Sequence, residues 1–192
     1  MKASLIIALT SSFIFASCSN DNTTSSTDKD SSTSSTSATP NDVQDSAVKD
    51  NVVPGYLSLK NALANDNPSE AADAAKQITE SLAKMDQAFL TTDEKKIYDE
   101  VKSDIKEHAE HIIGNGSNIK HQREHFELLS KDIIDLVKVT GSSKDLFLTY
   151  CPMYNDKKGA FWLSESKEIK NPYYGKEMSK CGEVKEEIKS KQ

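Results

Sequence analysis

Residues 92–141 read TDEKKIYDEVKSDIKEHAEHIIGNGSNIKHQREHFELLSKDIIDLVKVTG, and their periodicity decides the fold. Ile97, Val101, Ile105, His108 and Ile112 recur at spacings of four, four, three and four. That winds them onto one face of an α-helix. Gly114, Asn115 and Gly116 interrupt the pattern. A second helical stretch then runs from about Ile119 to Val139, with Phe126, Leu129, Ile133, Leu136 and Val137 directed inward, and Gly141 is placed to end it. Two amphipathic helices on a short turn predict an antiparallel pair.

The same reading extends toward the amino terminus. Tyr56, Leu59 and Leu63 form a short stripe that ends near Asp66 and Asn67. Asn67 followed by Pro68 has the order of a cap and a first helical residue, and alanine-rich sequence carries that helix through Ile78, Leu82 and Met85. Thr92 is expected to cap the next helix, with Lys95 where a capping box wants a glutamate, so the box is incomplete. The expected fold class is mainly α: an antiparallel four-helix bundle carrying a small C-terminal β-hairpin and loop region.

Farther out, Met1 and Lys2 precede an apolar run from Leu5 to Phe15 that is too short to span a membrane and has the layout of a secretory signal. It closes on Phe15, Ala16, Ser17 and Cys18, which resembles the lipobox of bacterial lipoproteins. Residues 1–17 are therefore read as a signal peptide and Cys18 as the lipidated residue, a membrane anchor. Ser19, with no aspartate beside the anchor, favours the outer membrane. Residues 18–50 are read as a disordered tether, because Ser, Thr, Asp and Asn dominate and too little apolar surface is present to fold. Residues 51–192 remain as one domain. The formal net charge is -6, which argues against nucleic acid as a partner.

Beyond Gly141 the period changes. Leu146 to Tyr150 and Ala160 to Leu163 are rich in strand formers, and Asn155 to Gly159 between them is turn chemistry. A hairpin is expected, packing Trp162 against the helices. Asn171, Pro172 and Gly175 fold a loop back, so that Met178 and Cys181 return toward Cys151 and Met153. Glu183 to Lys191 reads as a charged terminal helix or tail.

Two side-chain inventories carry chemistry. Sulfur comes from Cys151, Met153, Met178 and Cys181, soft ligands that favour Cu(I), or silver by analogy; a mixed Cys/His set would also take zinc. The competing reading is a structural Cys151–Cys181 disulfide, with no metal. Imidazole comes from all four histidines. His108 lies on the helical stripe and His125 beside Leu129, so these two rank first as metal ligands, with the more exposed His111 and His121 second. If the two helices are antiparallel across the Gly114 turn, all four rings meet at one end of the bundle. Enzyme signatures are missing: no Gly-rich oxyanion turn or phosphate loop accompanies the thiols, and His108 to His111 has the wrong interval for a zinc-peptidase helix.

Gln122-Arg123-Glu124-His125-Phe126, Tyr150-Cys151-Pro152-Met153, Gly159-Ala160-Phe161-Trp162-Leu163-Ser164, Asn171-Pro172-Tyr173-Tyr174-Gly175 and Cys181-Gly182 together resemble an uncharacterised family of Gram-negative envelope lipoproteins, the domain of unknown function numbered 3347. The resemblance covers about Tyr56 to Ile188. It implies an envelope location and a heavy-metal context, since the family's domain is also found fused to periplasmic adaptor subunits of copper/silver-type efflux pumps. It implies no activity. The expectation is an outer-membrane lipoprotein that binds copper for buffering or relay. The alternative is a docking module for an efflux adaptor or other envelope partner, with Tyr173, Tyr174 and Trp162 as its contact surface.

Overall fold

The computed structural model describes residues 47–191, with side chains from Val52 onward. The signal segment, Cys18 and the tether as far as Ser46 lie outside the described residues. Helix α1 (Ala47–Ala64) begins four residues inside the stretch read as tether. It turns Val52, Val53, Tyr56, Leu59 and Leu63 into the core. Asp66, at a left-handed φ of 58°, ends the run. Asn67 then caps α2 (Pro68–Lys84) as expected, its side chain accepting from the Glu70 N–H at 3.1 Å. The buried face of α2 is mostly small, with Ala71, Ala74 and Ala75 above Ile78 and Leu82. Small residues let α1 approach closely; a Cβ on Gly55 would lie 3.0 Å from the Ile78 side chain.

Helix α3 (Thr92–Gly114) departs from expectation at its start. Its cap is Thr91, not Thr92, and the capping box is complete. The Glu94 N–H donates to Thr91 Oγ1 at 3.3 Å, and the Thr91 N–H to Glu94 Oε2 at 2.9 Å. The consecutive threonines put the reading off by one, which moved Lys95 onto the box position. Thr91→Ala should cost about 1 kcal/mol in a denaturant titration. The inward face is also rotated slightly. Tyr98, Ile105, Ala109 and Ile112 are buried, while Ile97, Val101 and His108 sit at the margin.

Helix α4 (Ile119–Thr140) starts from Asn118, whose side chain accepts from the His121 N–H, and stops at Gly141 with φ 79°. All five of its expected inward residues are buried. The four long helices pack in chain order, α1 on α2, α2 on α3, α3 on α4, and α4 also touches α1. The domain is mainly helical with a small sheet at its C-terminal end.

That sheet has three antiparallel strands in the order β2-β1-β3. β1 (Leu146–Cys151) and β2 (Ala160–Ser164) form the expected hairpin, with Cys151 opposite Ala160. Asn155, Asp156 and Lys157 between them are all left-handed, and Gly159 at φ 78° completes the reversal. β3 (Glu183–Ile188) corrects the reading of a charged helix or tail. Its partly buried positions are Val184 and Ile188 and its charges are otherwise exposed, so the strand pairs with β1 through backbone while Glu and Lys guard the open edge. The hairpin docks on α4. Tyr56 Oη ties the layers together, lying 2.9 Å from Ser130 Oγ in α4 and accepting from the Leu163 N–H of β2 at 3.1 Å. Trp162 and Tyr173 are buried in this junction, ring against ring. They are core residues, which removes them from the expected contact surface. Among the described residues no helix is long and apolar enough to cross a membrane.

Candidate metal centre

The turn between α3 and α4 brings all four imidazoles together. His108 and His111 leave the last turns of α3, and His121 and His125 the first turns of α4. The ring of His125 is central. It stacks on His111 at 4.2 Å with an interplanar angle of 5°, and meets His121 edge-on at 4.6 Å. Its Nδ1 lies 3.2 Å from Nδ1 of His108. Ligand nitrogens of His111, His121 and His125 all fall within 4.8 Å of one another. Three nitrogens on a tetrahedral ion with bonds of about 2.0–2.1 Å stand roughly 3.3 Å apart. Side-chain rotations of about an ångström would therefore bring these rings to coordination distance.

Two contacts bias which nitrogen each ring offers. A carboxylate only accepts, so the 3.2 Å contact between His121 Nδ1 and Glu124 Oε2 puts a proton on Nδ1. A neutral His121 then presents the lone pair of Nε2. In the His108–His125 contact one Nδ1–H must donate to the other ring's lone pair, and the donating ring likewise keeps Nε2 free. This is how ring orientation is commonly fixed behind a metal. Burial, followed by the charges of His111, His121 and His108, holds the His125 pKa below the usual imidazole range, against a smaller opposing pull from Glu124. His125 is therefore neutral at pH 7, the form that coordinates. A shallow cleft of about 260 Å³ beside His111 carries the carboxylates of Glu107 and Glu110, a favourable approach for a cation.

The sulfur residues gather elsewhere. Cys151 is buried at the end of β1, Cys181 is half-buried just before β3, and their sulfurs are 3.2 Å apart as free thiols. Burial, then the Cys151 contact, pushes the Cys181 thiol pKa up, which disfavours the thiolate a metal would need. Met178 is half-buried, and Met153 is 42% exposed. Among the described residues, His111, His121 and His125 are the one group of three or more His, Cys, Asp or Glu side chains close enough to share an ion. The predicted return of Cys181 to Cys151 therefore occurs. The thiols do not join His108 and His125 in such a group: the histidines sit at the α3–α4 turn, and Cys151 and Cys181 at the end of β1 and just before β3.

Residues 52–145 match the model of the family described as "Protein of unknown function (DUF3347)". No curated protein and no solved structure matches the chain. The DUF3347 match begins within α1, takes in α2 to α4 and all four histidines, and ends before β1, Cys151 and Cys181. The resemblance expected out to Ile188 is thus shown for the helices.

Within the matched helices, the sequence placed His108 and His125 ahead of His111 and His121. The geometry groups His125 with the exposed His111 and the half-buried His121, and His108 meets that group through His125. A stripe position reports burial and does not report which ring nitrogens lie near one another. Glu124 was missed altogether. Its signal was present, an acid three residues after His121 on the same helical face.

Proposed function

We propose that this chain is a metal-binding domain whose site is the histidine cluster at the α3–α4 turn, with His111, His121 and His125 as ligands. His108 acts as the hydrogen-bond partner that orients His125, and Glu124 does the same for His121. The observation that carries this reading is the meeting of three imidazole nitrogens within 4.8 Å, backed by partners on the far side of two rings. Imidazole ligands suit divalent copper and zinc, and affinity at a nitrogen site is highest for Cu(II). Copper therefore stays the favoured ion, as Cu(II) instead of Cu(I), with zinc second. In this reading the helices form an antiparallel four-helix bundle, and Cys18 anchors the domain to the outer membrane behind its tether. The domain buffers metal or hands it to an adaptor of a heavy-metal efflux pump, and it catalyses no reaction.

The test is competition with a chromophoric chelator, using zinc for the reduced chain and Cu(II) for a Cys151→Ser/Cys181→Ser variant, which lacks the two thiols that the ion would oxidise. The wild type should take up near one equivalent of either ion. His108→Ala should weaken binding about 10- to 100-fold, the usual cost of losing an outer partner. His125→Ala should cost more, and the two serine substitutions should leave zinc affinity unchanged. Binding at nonspecific background, or indifference to His125→Ala, defeats the proposal.

One observation favours the docking alternative. Leu128 and Phe161 are exposed on either side of a groove of about 330 Å³ between α4 and the hairpin. A chain that fails the metal titration would return attention to that groove.

A further inference from the structure

The thiol pair lies outside the histidine group, and the chain around it is closely constrained. Cys151 is wholly buried at the last position of β1, opposite Ala160. Cys181 approaches from the chain that enters β3. It is held there by three backbone constraints. Its N–H donates to the Met178 carbonyl at 3.0 Å, its carbonyl accepts from Asn171 Nδ2 at 2.7 Å, and the next residue, Gly182, takes a φ of 147° that side chains rarely adopt. A Cβ on Gly182 would press on the Trp162 ring, so this turn has little freedom to carry Cys181 elsewhere. Two sulfurs at 3.2 Å need to close by only about an ångström to reach a bond length of about 2.0 Å.

We propose that Cys151 and Cys181 form a thiol–disulfide site in which the accessible Cys181 reacts first with a disulfide oxidant and the buried Cys151 resolves the adduct. In the first step the Cys181 thiolate attacks one sulfur of an oxidant R–S–S–R. A Cys181–S–S–R bond forms, the oxidant's S–S bond breaks, and one RS⁻ leaves and takes up a proton. In the second step the Cys151 thiolate attacks the Cys181 sulfur and expels the second RS⁻, which is also protonated. Two thiols and one oxidant disulfide give the Cys151–Cys181 bond and two RSH, so the protein loses two electrons and the oxidant gains them. The order follows from access: Cys151 is covered by the fold, while Cys181 is open on one side. Burial raises the Cys181 pKa, so the first step is slow at neutral pH and speeds up as pH rises.

The consequence is mechanical. The bond would tie the end of β1 to the start of β3 across thirty residues and close the loop that carries Asn171, Tyr173 and Gly175. Closing a loop of that length from the unfolded side, in a domain of this size, raises Tm by on the order of 10 °C.

The test exposes the reduced, full-length protein, with Cys18→Ser in every sample including the wild-type reference so that Cys151 and Cys181 are its two thiols, to glutathione disulfide and follows intact mass, free thiols and Tm. The wild type should become about 2 Da lighter with no lasting adduct, and should melt higher than its reduced form. Cys151→Ser should accumulate a glutathione adduct that persists, because the resolving thiol is gone. Cys181→Ser should stay unmodified while folded. A persistent adduct on the wild type, faster modification of Cys151 than of Cys181, or two free thiols after prolonged exposure would each overturn the proposal. Circular dichroism of both serine variants checks that they are folded, and the wild-type outcomes decide the matter even if one variant is not.

Discussion

Replacing Asn171 with leucine is expected to destabilise the domain by about 3–5 kcal/mol, a large share of the total stability of a domain this size. Asn171 is fully buried, and its side chain is the hub of the loop between β2 and β3. Its carbonyl oxygen accepts from the Tyr173 N–H at 2.8 Å and the Tyr174 N–H at 3.2 Å, while its amide donates to the Cys181 carbonyl. Leucine matches the volume and leaves all three backbone groups without partners. Each buried orphan costs roughly 1–3 kcal/mol. Asn171→Asp separates the contributions, since it keeps the acceptor and loses the donor, and should fall between leucine and wild type. Urea titrations of the three proteins measure this. A loss below about 1 kcal/mol for leucine would mean that the loop finds other partners.

Arg123→Ala is the second large effect, at about 2–4 kcal/mol. The guanidinium is mostly buried and reaches three acceptors at once. Nε donates to the Pro172 carbonyl at 2.8 Å, and one terminal nitrogen donates to the Leu63 carbonyl at 2.9 Å and to Asp66 at 2.7 Å. It thereby joins α4, the end of α1 and the loop after β2. Gly175, at φ 57°, has no room for a side chain beside Asp66 and Arg123, so the loop backbone is fitted to this pair. Lysine should not substitute, because a single ammonium lacks the planar fork that spans these acceptors. Asp66 adds a pH signature. Burial pushes its carboxyl up, but the Arg123 hydrogen bond, the Lys176 N–H and the two positive charges together hold it below the usual carboxylate range. A carboxyl depressed in the folded state contributes stability that is present above about pH 4 and is lost as pH falls through its folded value. Removing Arg123 should flatten that acid limb of the stability curve, measured as urea midpoints between about pH 2 and 5.

The helices were legible because their signals are local. Asn67 with Pro68, the Gly114 break and the Gly141 stop each act within one turn of chain. The apolar spacing of α4 needs no partner to be read. Errors came where two local signals compete or where a partner decides. Thr91 and Thr92 both qualify as caps, and only the position of Glu94 separates them. Tyr98 and Ala109 show that the inward face of α3 follows the helix it meets, α2 and α4, and not the largest aliphatic residues in its own sequence. β3 could not be read from Glu183 to Ile188, since a charged edge strand borrows its structure from the ladder of β1. The histidine cluster was foreseeable from the antiparallel turn. Its internal order was not, because periodicity reports which side faces the core and says little about which nitrogens face each other. The sulfur and imidazole sets were expected to converge from composition alone, and composition carries no distance.

All four histidines come from a single helical hairpin, with no more than seventeen positions between His108 and His125. Coordination there would act as a clasp across one short turn, closing a loop whose entropy cost is small. Such a clasp can engage as soon as α3 and α4 zip together, before the distant strands have found their register. An ion captured at that moment would favour the hairpin over the open chain, so that metal supply and folding yield would rise together.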